Sequence, residues 1–194
     1  PTSLGPQQVR TWQEQGQTIE LAVLHEGTPA ELDAYAEQTK KIVREAAAIF
    51  GGLPKFDFGR YTFVANYLPH TSGDGMEHRN STSLTSNRPL RGTGALDNLG
   101  TVAHEFFHAY NVERIRPQDL EPFDFQRANM SNSLWFAEGF TQYYGELLLR
   151  RAGAYTDEQY LQEAVGPLVN AMLNSPGAAR FSPVHMSQQA PFVD

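Results

Sequence analysis

The 194-residue sequence contains no cysteine. Disulfides, thiolate metal sites and cysteine nucleophiles are therefore excluded, and any metal must be held by His, Asp or Glu. The same absence leaves oxidising and reducing compartments open alike, periplasm and cytoplasm included. No run approaches the roughly 18 apolar residues that a membrane-spanning helix needs. Basic residues are few: 15 Lys and Arg against 22 Asp and Glu give a net charge of -7, with no basic cluster. That balance argues against a nucleic-acid partner. Repeats and low-complexity tracts are also missing, and nothing sets an oligomeric state. The chain opens on Pro1 with no signal-like apolar stretch, so it is expected to be a piece of a longer protein. What is present is core material. Hydrophobic residues make up 40% and aromatics 11%, enough for one globular domain and too much for disorder.

Residues 1–16, rich in Gln, Gly and Pro, read as a lead-in, and 17–194 as the domain. Thr18–Leu24 alternates as a strand does, with Ile19, Leu21 and Val23 on one face. Thr28-Pro29-Ala30-Glu31 is a capping box with proline at the first helical position, and the helix it opens should end at Gly51-Gly52. Arg60–Leu68 reads as a second strand, with shorter pieces at Gly75–Arg79 and Thr82–Ser86. Asp97 or Asn98 is expected to cap a helix running to about Asn111. Pro117–Asn129 reads as a loop and Ser133–Arg151 as a strong helix. Thr156–Gln159 caps a further helix, kinked at Gly166-Pro167. From Asn174 on, an irregular tail is expected. Strands come first and helices later, an α+β pattern.

Within that frame, His104-Glu105-Phe106-Phe107-His108 is an H-E-x-x-H motif. Residues four apart on a helix differ by about 40° in direction and sit one turn apart, so both imidazoles can face one ion. Glu105 flanks the same seam and can work on a reacting water without being a ligand. By chance the pattern should occur in roughly one in a hundred chains of this size. Catalytic zinc usually takes three protein ligands and a water. No third His follows at metzincin spacing, so a carboxylate is sought. Glu138 is the best candidate, the one acid in Leu134-Trp-Phe-Ala-Glu-Gly-Phe-Thr-Gln-Tyr-Tyr144. Its neighbours Trp135, Phe136 and Phe140 suggest a buried helix, where an unpaired carboxylate is costly and a dication would justify it.

Three segments, His104–Pro117, Leu134–Tyr144 and Gly75–Thr82, together resemble the glycyl aminopeptidase family, family sixty-one of the metallopeptidases. The resemblance extends over nearly the whole chain and implies a gluzincin, thermolysin-like catalytic domain that uses Zn2+ and takes a peptide substrate. Family members usually carry an N-terminal β domain and a C-terminal PDZ domain, neither expected within this chain. The family's zinc ligands fall on His104, His108 and Glu138, and its catalytic glutamate on Glu105. Gly75-Met76-Glu77-His78 resembles the Gly-x-Met-Glu-Asn strand of related aminopeptidases, whose glutamate binds the substrate's free α-amino group. Glu77 inherits that role, although His78 stands where those relatives have Asn. The family name implies small N-terminal residues, Gly or Ala.

Other polar residues carry weaker expectations. Asn111, Glu113, Arg114 and Arg116 could support the ligands or bind a substrate carboxylate. Thr141 and Gln142 share the face of Glu138 and could orient it. Tyr143 and Tyr144 read as core, and His25, His70 and His185 as ordinary. Gluzincins place an oxyanion-stabilising Tyr or His after the third ligand, but beyond Tyr160 this chain has no Tyr and only His185. The expected function is zinc aminopeptidase. Its rivals are a zinc endopeptidase with an open cleft and a non-enzymatic, zinc-stabilised peptide-binding module, which would have no use for Glu105.

Overall fold

In a computed structural model, which describes residues 1–192, a 5-stranded mixed sheet precedes a set of helices. Val193 and Asp194, the end of the expected domain, lie outside the described residues. The strands are β1 (Gln8–Glu14), β2 (Gln17–His25), β3 (Arg60–Tyr67), β4 (Asp74–His78) and β5 (Ser81–Ser86). Their spatial order is β1-β2-β3-β5-β4. The central pairs β2–β3 and β3–β5 are parallel, whereas β1–β2 and β4–β5 are antiparallel hairpins. Strand β4 is thus an edge.

The strand β1 corrects the reading of residues 1–16 as a lead-in. Its inward face is Gln8, Arg10, Trp12 and Glu14, not a row of aliphatics. Arg10 pairs with Asp33 and Glu14 with Arg44, both on helix α1 (Pro29–Phe50), and Lys40 lies over the Trp12 ring. The strand is held by charge to the helix above it, so hydrophobic alternation misses it.

Helix α1 begins as expected. The Thr28 hydroxyl accepts from the Glu31 N–H, the Glu31 carboxylate accepts from the Thr28 N–H, and left-handed Gly51 closes the far end. Its apolar stripe, Leu32, Ile42, Val43 and Ala46, meets Ile19, Leu21 and Val23 of β2 and Tyr61 and Phe63 of β3 in one core. Helix α2 (Gly92–Phe107) adds Leu99, Val102 and Phe106.

Helix α2 starts earlier than expected. Asn98 does not cap it; it is buried within the helix and its side-chain amide donates to the Arg88 carbonyl. Gly92, Thr93 and Gly94 resemble loop residues in sequence, but the buried Leu90 anchors the chain and the Ala95 N–H already donates to the Arg91 carbonyl. The helix also stops earlier, at Phe107, with His108–Tyr110 in a turn.

Helix α3 (Leu134–Arg151) follows a connection with one short 3-10 turn, Gln118–Leu120. Beyond it, α4 (Asp157–Gln159) is capped by Thr156 and runs through a π-helical stretch, Tyr160–Val165, into α5 (Gly166–Asn174). The wider turn falls just before Pro167, which has no N–H to give. The tail is not wholly irregular as expected: α6 (Pro183–Gln189) forms there, with the Ser182 hydroxyl accepting from the His185 N–H. Ser182-Pro183 is the local signal for that helix start, a cap followed by proline in the first turn. Among the described residues no helix is long and apolar enough to cross a membrane.

Candidate metal centre

Two helices and one strand converge on His104, His108 and Glu138. Helices α2 and α3 come close because position 145 carries no side chain. A Cβ on Gly145 would sit 3.3 Å from both Cα and N of His104. That contact seats the third turn of α3 on the last turn of α2.

At the junction the Nε2 atoms of His104 and His108 are 3.2 Å apart. The Glu138 Oε2 lies 3.3 Å from the first and 3.4 Å from the second. Donors about 2.0–2.2 Å from a tetrahedral ion sit roughly 3.3–3.6 Å from one another, so these three atoms form one face of such a site. The opposite ring nitrogens are already engaged. His108 Nδ1 donates to the Asn111 carbonyl at 2.9 Å, and His104 Nδ1 to the Gln142 side-chain oxygen at 3.2 Å. Each ring therefore turns its Nε2 atom inward, the orientation of metal-ligating histidines. The donor set of two imidazoles and a carboxylate fits zinc.

The supporting residues differ in detail from expectation. Thr141 and Gln142 do not orient Glu138. Gln142 holds His104, and the Thr141 hydroxyl stands 3.4 Å from His108 Nδ1 while donating to the Ala137 carbonyl. Asn111 ties the end of α2 to the start of α3, its side-chain amide donating to the Phe136 and Ala137 carbonyls and the Thr141 hydroxyl. Arg114 donates to the Ala109, Arg79 and Lys55 carbonyls, and Arg116 pairs with Glu113 and Glu121. These ionic residues brace the loop. Tyr144 stacks on Phe107, as its core reading implies, but Tyr143 is half exposed.

The helix of Glu138 is not buried as the aromatic neighbours suggested. Trp135 and Phe140 are 44% and 39% exposed, and the Glu138 side chain is 49% exposed. This end of α3 borders an open, apolar cavity of about 650 Å³ walled by Leu134, Trp135, Met172, Phe181, Pro183 and Met186, with Glu138 at its edge. Helix α6 is fixed across it: the Ser187 hydroxyl accepts from the Trp135 N–H and Gln188 donates to the Asn132 side chain. Of the aromatic run, Trp135 walls the cavity and Phe140 is partly exposed, so the run is not a core stripe.

The electrostatics follow from crowding. Burial lowers the His108 pKa, but the hydrogen bond and charge of Glu138, with the Asn111 carbonyl, more than reverse this and bring it to about 9. Hydrogen bonds from the two imidazoles hold Glu138 at about 2 against the opposing effect of burial. Glu105 is 7% exposed, and burial pushes its carboxyl up to about 7; the imidazoles oppose the rise, and Glu77 and Glu138 add to it.

Glu77 comes to the same place from strand β4. One oxygen each of Glu77 and Glu105 and a ring nitrogen of His108 lie within 4.8 Å of one another. Glu77 thus faces the cleft. Its neighbour His78 folds back, Nδ1 against the Met76 carbonyl at 3.2 Å. His25, His70 and His185 join no group of potential ligands among the described residues.

The family model of the M61 glycyl aminopeptidases matches residues 97–192. A solved structure of an aminopeptidase N family protein from Idiomarina loihiensis shares the fold, with a TM-score of 0.81 over 96% of this chain at 24% identity. The chain spans only 32% of that protein's length. No curated protein matches. The family model falls on the stretch that holds both histidines, Glu105 and Glu138, and over that stretch the chain matches the M61 glycyl aminopeptidase family.

Proposed function

We propose that this chain is the thermolysin-like catalytic domain of a zinc-dependent aminopeptidase that removes N-terminal residues from peptides. The observation that carries the reading is the convergence of His104 Nε2, His108 Nε2 and Glu138 Oε2 at 3.2–3.4 Å with both Nδ1 atoms engaged elsewhere. The catalytic unit runs from β1, since that strand completes the sheet.

His104, His108 and Glu138 would hold the zinc, which would supply Lewis acidity at the scissile carbonyl. Glu105 takes the attacking water's proton on a carboxylate oxygen and later gives one to the leaving amine. Glu77 accepts hydrogen bonds from the substrate's α-ammonium, which fixes the first peptide bond over the site and favours free N-termini. The preference for Gly or Ala rests on the family alone, since the cavity beside Glu138 would admit larger side chains.

Two measurements test this. Protein purified without chelator should hold about one zinc per chain. It should cleave a free-amine peptide and leave the N-acetylated form intact. Equal cleavage of both would make it an endopeptidase, and zinc binding without hydrolysis of either would make it a binding module. Glu105→Gln should keep zinc and lose roughly two to four orders of magnitude in hydrolysis.

A further inference from the structure

Glu105 is buried, yet no side-chain or backbone hydrogen bond holds its carboxylate among the described residues. What it rests on is the bare backbone of strand β4. A Cβ built on Gly75 would lie 2.3 Å from Glu105 Oε1, 2.6 Å from Cδ and 2.8 Å from Cγ. Contacts this short leave no room for the Glu105 side chain where it stands, so an added Cβ must displace it. The backbone at Gly75 is not left-handed, so conformation does not call for glycine there. Only the empty space does.

We infer that Gly75 is a positioning residue for Glu105: its missing side chain is the seat that holds the carboxylate. This rests on the proposed role of Glu105 as base. Residues alternate along a strand, so Gly75 and Glu77 share the face of β4 turned to α2. One strand therefore supplies the site with a void at position 75 and a charge at position 77. The pairing of β4 with β5, Gly75 opposite Leu84 and Glu77 opposite Thr82, fixes both at once.

Gly75→Ala forces the Glu105 side chain off its seat. In zinc-loaded protein, kcat should fall roughly a hundredfold, the cost of misplacing a catalytic group by about 1 Å, while KM and zinc content stay near wild type. Glu105→Asp, one methylene shorter, should partly rescue the Gly75→Ala variant, so that the double variant is faster than Gly75→Ala alone. A variant Gly75→Ala with wild-type kcat, or a double variant that shows no rescue, would overturn the inference. A second readout needs no activity. Gly75→Ala should lower the melting temperature by roughly 3–10 °C when Glu105 is present and by little when Glu105 is Ala. Equal shifts in both backgrounds would also overturn it. If the wild-type protein binds zinc but cleaves no peptide, the functional reading fails while this thermal coupling still decides the role of Gly75.

Discussion

Glu138 offers the sharpest test at the scale of single residues. It is half exposed, so its loss opens no core, yet its oxygen is the third corner of the donor face. Glu138→Ala should therefore fold normally and lose most of its zinc by elemental analysis; full retention would remove it from the ligand set. Glu77 is tested on the other side of the cleft. Glu77→Ala removes a charge-assisted contact of roughly 1.5–3 kcal/mol. It should lower kcat/KM for free-amine peptides about tenfold to a hundredfold with zinc unchanged. Protons give a further handle on the metal-free protein. His108 titrates at about 9 against an ordinary 6.5, so its contribution to stability is complete below 6.5 and is lost as pH rises through 9. Glu105 titrates at about 7 against 4.5, so the fold favours its protonated form and loses stability as pH rises from 4.5 through 7. Glu138, at about 2 against 4.5, acts oppositely, losing its contribution as pH falls below 4.5. Melts in chelator should thus show highest stability near pH 4.5–5 and a decline towards pH 9, shallower between pH 4.5 and 7 in Glu105→Gln. Identical slopes in the two proteins would show that Glu105 is not held protonated by its surroundings.

At the scale of elements, the approach of α2 to α3 sets the ligand distances, and Gly145 sets the approach. Gly145→Leu should push the helices apart, weaken zinc binding by roughly tenfold to a hundredfold and lower the melting temperature by roughly 3–10 °C. Unchanged affinity would mean that the ligands follow the ion and not the helices. Such a contact has no trace in the sequence, because a glycine needed for the space it leaves looks like any other glycine. The same holds for Gly75. What the residues did announce was local chemistry. Thr28-Pro29 and Glu31 mark the start of α1, since a capping box is satisfied within one turn. The i, i+4 spacing of His104 and His108 is likewise local, spanning the last turn of α2 and its C-cap. Strand β1 has no such local mark, because its inward residues, Arg10 and Glu14, find their partners on α1. Helical spacing puts Gln142 on the face of Glu138, but only the packing of α3 on α2 brings it to His104.

Across the whole molecule, the α+β order of strands and helices was legible, since strand alternation and helical spacing survive tertiary context. The openness beside Glu138 was not, because aromatic residues line cavities as readily as cores. Zinc bound only by the folded chain should raise stability through mass action, by about 2.7 kcal/mol when free zinc is a hundredfold above its Kd. Chelation should then lower the melting temperature by roughly 5–10 °C, restored by added zinc. An unmoved melting temperature would mean that no site of this kind is occupied.

The three proposed ligands also lie on both sides of the connection that holds the Gln118–Leu120 turn and joins α2 to α3. With the ion in place, the two helices cannot part without stripping a ligand. Local opening of the connecting segment then ceases to be a separate, low-energy event and becomes tied to the release of the ion. Amide hydrogens at the end of α2 and the start of α3 should therefore exchange on the clock of metal dissociation, a slow gate set by coordination chemistry where a buried helix end meets a partly exposed one.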